Sequence, residues 1–323
     1  MQRHILTLLL TLLSIDFVFA QGTTNRLSLP EPARYDLWQS GHQPNSRLQG
    51  ADLPTDSIAR NRIWRCGIPR LYAYTPVEAE RNGAAVILIP GGGYVKQAYE
   101  VSGISLSKWL NTLGITAFVL LHRLPNQPEL IDPWRATMQD CQRAVRWVRA
   151  HAAEFGIDPN RIGVMGTSAG AHLSACVSTL TEDWAQVGDS LDGVSFRPDF
   201  AIVVSPIINE VDPITAGNRK DLCGASMDDP TWHKLFTIDE SVTSQNPPML
   251  LIHAADDPAV PALGSVRMFD ALQRAGVKGC SLHIFPQGKH SIALRNQPGT
   301  TALWPVIAEG WLDEIGIFKD PNK

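Results

Sequence analysis

The chain has 323 residues, 44% of them hydrophobic and 19% charged, with a formal net charge of -4. Such a composition belongs to a globular protein able to bury an extensive core. Lys/Arg and Asp/Glu are mixed along the chain, so there is no basic stripe for nucleic acid and no polybasic run for an anionic membrane.

Residues 1–20 differ from the rest. Arg3 and His4 precede an apolar stretch from Ile5 to Leu13, and Val18-Phe19-Ala20 closes it after Asp16. A basic start, a short apolar run and a small residue at the end predict a secretory signal cleaved after Ala20. The run falls short of the roughly 20 apolar residues of a spanning helix. The expectation is therefore a secreted or periplasmic protein with no membrane insertion after cleavage. Cys66, Cys141, Cys176, Cys223 and Cys280 form no CxxC pair, which excludes zinc-ribbon and thioredoxin-like readings. In an exported chain they can form one or two disulfides, or serve as small buried residues.

Residues 21–67, rich in polar residues, Pro and Gly, predict an irregular N-terminal arm. From residue 68 the pattern becomes strand alternating with helix, a catalytic domain over 68–323. Ala84–Ile89 is a continuous apolar run ending in Pro90-Gly91-Gly92-Gly93 and predicts a buried strand. A helix is expected over Ser102–Leu113, a second strand over Ala117–Leu121 and a long helix over Trp134–Phe155, stopped by Gly156. Ile162–Met165 predicts a third strand and Ala169–Thr179 a helix. Phe200–Val204 and Met249–His253 are further strands, Ala262–Ala275 a helix, Leu282–Phe285 a last strand and Ala302–Ile315 a last helix. Residues 180–247, with little pattern beyond one strand, are expected to contribute insertions over a site. Continuous apolar strands separated by helices imply an α/β fold, a mainly parallel sheet with helices on both faces. Ligands in such sheets bind beyond the carboxyl ends of the strands.

Gly166-Thr167-Ser168-Ala169-Gly170 lies between a predicted strand and a predicted helix. In that context G-x-S-x-G is a nucleophile turn, with Ser168 exposed at the sheet edge and the glycines admitting close backbone. The absence of a following Gly-Lys-Ser/Thr excludes a phosphate loop. A tetrahedral oxyanion needs backbone N–H donors, each worth roughly 3–4 kcal/mol. Ala169, directly after the serine, and Gly92 and Gly93, in the loop after an earlier strand, are the candidates. Tyr94 either lines the pocket or packs.

Serine needs a general base. His290, in the loop Gln287-Gly288-Lys289-His290 after the last strand, is the candidate. His253 and His283 fall within predicted strands and read as structural, as does His172 on the helix after Ser168. The orienting acid is expected in Asp256-Asp257-Pro258, with Asp257 the choice and Asp256 a turn cap. No HExxH or comparable cluster suggests a metal, and no cofactor is called for.

These segments, with the turn Gly156-Ile157-Asp158-Pro159-Asn160-Arg161 and Asp257-Pro258-Ala259-Val260-Pro261, resemble bacterial carbohydrate esterases of the α/β-hydrolase superfamily. The similar group is acetyl-xylan esterase-like and feruloyl-esterase-like. The resemblance covers about residues 68–316. It differs at Ala171, where the group commonly has Gly, and at His122-Arg123-Leu124, where it commonly has Tyr-Arg-Leu. It implies hydrolysis of short acyl esters, such as acetyl groups on polysaccharide, with Ser168, Asp257 and His290 as triad and Gly92, Gly93 and Ala169 as oxyanion donors. The partner would be a small ester or acylated saccharide. The same triad also suits a dipeptidyl-peptidase-like or lipase-like hydrolase, though no propeller or broad apolar lid is evident. A catalytically silent binding protein on the same fold is the third reading.

Overall fold

The computed structural model describes residues 31–39, 42–209, 216–223, 231–290 and 292–318. The expected signal at residues 1–20 lies outside them. In chain order the strands are β1 (Ala33–Asp36), β2 (Ser57–Ala59), β3 (Arg62–Arg65), β4 (Arg70–Tyr74) and β5 (Ala85–Ile89). Helix α1 (Ser105–Thr112), β6 (Thr116–Leu121), α2 (Pro133–Ala150), β7 (Ile162–Thr167), α3 (Ala169–Thr179) and β8 (Phe200–Val204) follow. The chain continues through α4 (Ala216–Cys223), α5 (Thr231–Leu235), β9 (Met249–Ala254), α6 (Leu263–Arg274), β10 (Ser281–Phe285) and α7 (Trp304–Glu314).

Eight strands form one sheet in the order β1-β4-β6-β5-β7-β8-β9-β10. The pairs β1/β4 and β4/β6 are antiparallel, and every pair from β6/β5 to β9/β10 is parallel. Successive strand residues face opposite sides, so each buried strand feeds both layers. Ile87 and Leu120 belong to a core with Val145 of α2, Leu173 of α3 and Met268 of α6. Their neighbours Val86, Leu88 and Val119 belong to a second core with Leu110 of α1 and Trp304 and Trp311 of α7. Each fully buried aliphatic side chain contributes about 1.5–3 kcal/mol, which favours this three-layer arrangement over any that exposes one strand face.

Three expectations change in detail, one being the last helix, expected over Ala302–Ile315, which is a 3-10 turn, Gly299–Leu303, followed by α7. The helix expected over Ser102–Leu113 begins as a π-helical turn, Glu100–Ile104, before α1. The helix expected over Trp134–Phe155 is α2 followed by a 3-10 turn, Ala152–Phe155, and Gly156 ends it at φ 66°. A left-handed backbone at that position favours glycine.

The irregular arm expected over 21–67 needs correction. It supplies β1 to the main sheet and pairs β2 with β3 in a separate hairpin. From Pro32 onward the chain forms one compact unit. Trp38 anchors the arm: its indole N–H donates to Asp140 at 2.8 Å, and the Arg143 guanidinium lies 4.9 Å from its ring centroid.

The segment after α3 is tied to α2 by ion pairs from Arg143 to Asp189, Arg146 to Asp183, and Arg149 to Asp199 at 2.9 Å. This explains how a stretch with no hydrophobic period holds its course. Cys66, Cys141 and Cys176 are buried thiols and Cys280 is a half-buried one, matching the reading of small packing residues. Among the described residues, no helix is long and apolar enough to cross a membrane.

Candidate active site

The carboxyl ends of β5, β7, β9 and β10 converge, as expected of a parallel sheet. Ser168 stands between β7 and α3 with φ 56° and ψ -124°, a conformation that costs a non-glycine residue of order 1–3 kcal/mol. Neighbouring backbone enforces it. The Ser168 N–H donates to the Val204 carbonyl of β8 at 2.9 Å, and the Ser168 carbonyl accepts from His172 N–H at 3.0 Å. A Cβ at Gly166 would lie 2.1 Å from the Gly170 oxygen, and one at Gly170 would lie 1.9 Å from the Ile89 oxygen. The motif glycines are therefore steric requirements of this turn.

His290 Nε2 lies 2.7 Å from Ser168 Oγ, and its Nδ1 lies 2.8 Å from Asp257 Oδ2. A carboxylate only accepts, so the imidazole proton sits on Nδ1 and Nε2 is left to accept from the serine hydroxyl. The Asp257 side chain is fully buried. Burial pushes its carboxyl pKa up, but hydrogen bonds from His253, His290 and the N–H groups of Val260 and Ala259 outweigh burial and hold it well below the usual range. It therefore remains an anion facing the imidazole.

Asp256 and Asp257 divide the work. Asp256 Oδ1 accepts from the Lys289 N–H at 2.8 Å, fixing the loop one residue before His290. Thr301 Oγ1 donates to the Gln287 carbonyl of the same loop. His253, read as structural, is wholly buried and also touches the acid: its Nε2 is 3.3 Å from Asp257 Oδ2 and 3.0 Å from the Val260 carbonyl. Its Nδ1 meets Ser265 Oγ at 2.8 Å. The supporting role was hidden in the sequence, where a strand histidine four residues before an aspartate is the only signal.

The loop after β5 packs directly on the nucleophile turn. A Cβ at Gly91 would lie 2.2 Å from the Thr167 oxygen, and one at Gly92, at φ 148°, 2.1 Å from the Lys96 oxygen. Gly91, Gly92 and Gly93 line the same cleft as Ser168 and His290. Ala169 opens α3, where the first N–H groups of a helix have no intrahelical partner. The arrangement brings together all the residues expected to meet an oxyanion.

Tyr94 does not line this cleft. It is 1% exposed, and its hydroxyl bonds to His172 Nδ1 beneath the nucleophile helix, with the Ala169 carbonyl 3.4 Å away. A buried phenol requires a polar partner, and His172 supplies one. Burial pushes the His172 pKa down to about 4, only partly opposed by its bond to the Leu235 carbonyl, so the ring is a neutral packing element. His283 lies on β10, where its Nε2 meets Ser281 Oγ at 2.9 Å. Its position is away from the Ser168–His290–Asp257 chain.

The cleft has a volume of about 710 Å³, in the range of small-molecule sites. Its buried wall is apolar, from Leu106, Val204, Ile292 and Trp304, whereas half-buried Arg62 and Lys96 and exposed Asp221 bring charge to its lining. Arg62 comes from the β2–β3 hairpin, which the mutual bonds of Ile63 and Gln97 (2.8 and 3.1 Å) fasten to the residue after Lys96. The contribution of the hairpin was not foreseen, whereas Asp221 of α4 falls within residues 180–247, where insertions over the site are expected. Among the described residues no cluster of His, Cys, Asp or Glu is arranged to hold a metal ion.

The BD-FAE family profile matches residues 71–272, more than half the chain. An acetylxylan esterase of Xylanibacter ruminicola is 32% identical over 216 residues, covering 65% of this chain and 41% of the relative. Endo-1,4-beta-xylanase B of Butyrivibrio fibrisolvens is 26% identical over 274 residues, covering 81% and 42%. The chain thus spans about two fifths of the length of these curated relatives. The crystal structure of an acetyl ester-xyloside bifunctional hydrolase from Caldicellulosiruptor lactoaceticus superimposes with TM-score 0.73 at 32% identity, covering 90% of this chain and 98% of that one. The chain belongs to the BD-FAE family and has the α/β-hydrolase fold of its esterase relatives.

Proposed function

We propose that the protein is a serine carboxylic-ester hydrolase that removes acetyl or other short acyl groups from saccharides. The observation that carries this reading is the continuous hydrogen-bonded chain Ser168–His290–Asp257 opening into a cleft with an apolar buried wall. Ser168 Oγ attacks the acyl carbonyl while His290 Nε2 takes its proton, and anionic Asp257 stabilises the imidazolium. The carbonyl oxygen becomes an oxyanion received by the N–H groups of Gly92, Gly93 and Ala169. Collapse breaks the ester C–O bond, His290 protonates the departing sugar hydroxyl, and an acyl-Ser168 remains. Water, deprotonated by His290, then attacks that acyl group and releases the carboxylic acid.

The relatives support the substrate class, since an acetylxylan esterase and an acetyl ester-xyloside hydrolase are among them. The apolar wall fits a short alkyl acyl group, and the charged part of the lining fits a hydroxyl-rich leaving group. We further propose export directed by residues 1–20, which places the enzyme where extracellular polysaccharide is met.

The test is hydrolysis of p-nitrophenyl acetate and acetylated xylan by the chain beside Ser168→Ala. Activity on both, abolished by the substitution, is the expected result. Activity on the small ester alone overturns the saccharide assignment, and activity on neither from folded protein overturns the esterase assignment.

A further inference from the structure

The catalytic cleft does not end at its own wall. Val101, Ala293 and Leu294 line it on one side and line a second groove, of about 660 Å³, on the other. The second groove runs along the exposed side of α1, where it meets Lys108 and Trp109, and is closed by Arg295. The shared wall is held firmly: the Trp304 indole N–H donates to the Ala293 carbonyl at 2.9 Å. Trp304 lines the catalytic cleft and Trp109 the second groove, and their rings meet edge-on with centroids 5.5 Å apart.

The chemistry of this groove is specific. Lys108 and Arg295 are exposed, and neither forms an ion pair among the described residues. No acidic residue lines the groove, although the chain as a whole carries a net charge of -4. Unpaired cations beside a half-buried indole match a sugar ring that bears a carboxylate. The ring's C–H face packs on the indole, and the carboxylate accepts charge-assisted hydrogen bonds from guanidinium and ammonium. A second groove that shares a wall with the catalytic cleft offers room beside it for a further sugar of the same chain.

We propose that this groove is a saccharide subsite in which Lys108, Arg295 and Trp109 hold a carboxylate-bearing sugar of the same chain whose acyl group lies at Ser168. The inference rests on the acyl-saccharide reading above and names its substrate class further: an acidic, acylated oligo- or polysaccharide.

The experiment compares wild type with the double charge reversal Lys108→Glu/Arg295→Glu, both on the surface and away from the Ser168–His290–Asp257 chain. Three substrates are used: p-nitrophenyl acetate, an acetylated xylan carrying uronic acid side groups, and the same polymer with its carboxylates reduced. The expected result is a loss of about tenfold or more in kcat/KM on the acidic polymer, through KM, with the small ester unchanged. The loss should shrink when salt shortens the screening length to about 3 Å at 1 M, and should be absent on the carboxylate-reduced polymer. Equal kcat/KM of variant and wild type on the acidic polymer overturns the subsite. So does an equal loss on the acidic and the reduced polymer. Wild-type cleavage of p-nitrophenyl acetate with none on either polymer overturns the acyl-saccharide reading itself, which separates the two failures.

Discussion

Asp256 accepts a hydrogen bond from the Lys289 N–H at 2.8 Å, while its neighbour Asp257 accepts from His290 Nδ1 at 2.8 Å. Adjacent carboxylates thus hold adjacent residues of one loop, one by its backbone and one by its imidazole. Substituting them should separate positioning from charge stabilisation. Asp257→Asn offers Nδ1 a donor or a neutral acceptor and should cost about 10⁴-fold in kcat. Asp256→Ala leaves the imidazole's partner in place and loosens its loop, with an expected cost of about 10–100-fold. Steady-state kinetics on p-nitrophenyl acetate measures both, and a larger loss from Asp256→Ala would reverse the assignment.

Ser168 carries the only hydroxyl within reach of His290 Nε2 in the described contacts and sits at φ 56°. Ser168→Ala should lower kcat by about 10⁶-fold, as for removal of the nucleophile elsewhere. Ser168→Gly should be equally inactive yet more stable than Ser168→Ala by about 1 kcal/mol, because glycine relieves the left-handed backbone. Urea unfolding of the two variants reads the difference directly. Equal stability would mean that the turn stores no strain at this residue.

The parts of the site visible in the sequence are those whose constraints are local. Gly166 and Gly170 are required within the same short turn as Ser168, so the motif carries its own explanation. His290 was legible because its loop follows β10 directly. By contrast, β1 is four residues long with an exposed pattern, and its partner β4 lies 34–40 residues away. No period of apolar residues announces such an edge strand, since pairing with β4 makes it. The sequence leaves Tyr94 open between pocket wall and packing for a related reason. An aromatic after three glycines suits a pocket wall, but the buried nitrogen that turns it inward belongs to His172, on another element. Asp257 was legible as the aspartate facing His290, but the turn cap expected of Asp256 is also Asp257, which accepts from the Ala259 and Val260 N–H groups, while Asp256 holds Lys289 of the facing loop.

The depressed pKa of His172 predicts acid sensitivity. The ring titrates near 6.5 when unfolded and at about 4 when buried, so between those values only the unfolded chain takes up the proton. Stability from this group is complete above pH 6.5, falls as the pH drops, and levels off near pH 4 after a loss of about 3 kcal/mol. His122, whose pKa burial also lowers, adds loss of the same sign. His172→Gln should be less stable than wild type at pH 7 because the Tyr94 and Leu235 contacts are disturbed. Between pH 7 and 4.5, however, it should lose about 2 kcal/mol less than wild type. Denaturant titrations at both pH values check this, and parallel losses in the two proteins would remove His172 as the source.

Arg123 and Asp140 form a fully buried pair, with Arg123 Nη2 at 2.7 Å and Nε at 3.0 Å from the carboxylate oxygens. The same carboxylate accepts from the Arg123 N–H and from the Trp38 indole, each at 2.8 Å. One anion therefore joins the end of β6, helix α2 and the N-terminal arm. Arg123→Met strands that anion without its counter-charge and should destabilise the fold by about 3–5 kcal/mol. Arg123→Met/Asp140→Leu removes both charges and should recover part of the loss, short of full recovery because the Trp38 N–H is left without its acceptor. The pair makes no contact with Ser168, Asp257 or His290, so kcat per folded molecule should hold in both variants. Thermal unfolding combined with active-site titration distinguishes this anchor from a catalytic role: a drop in kcat at full titratable occupancy would place Arg123 in the reaction itself.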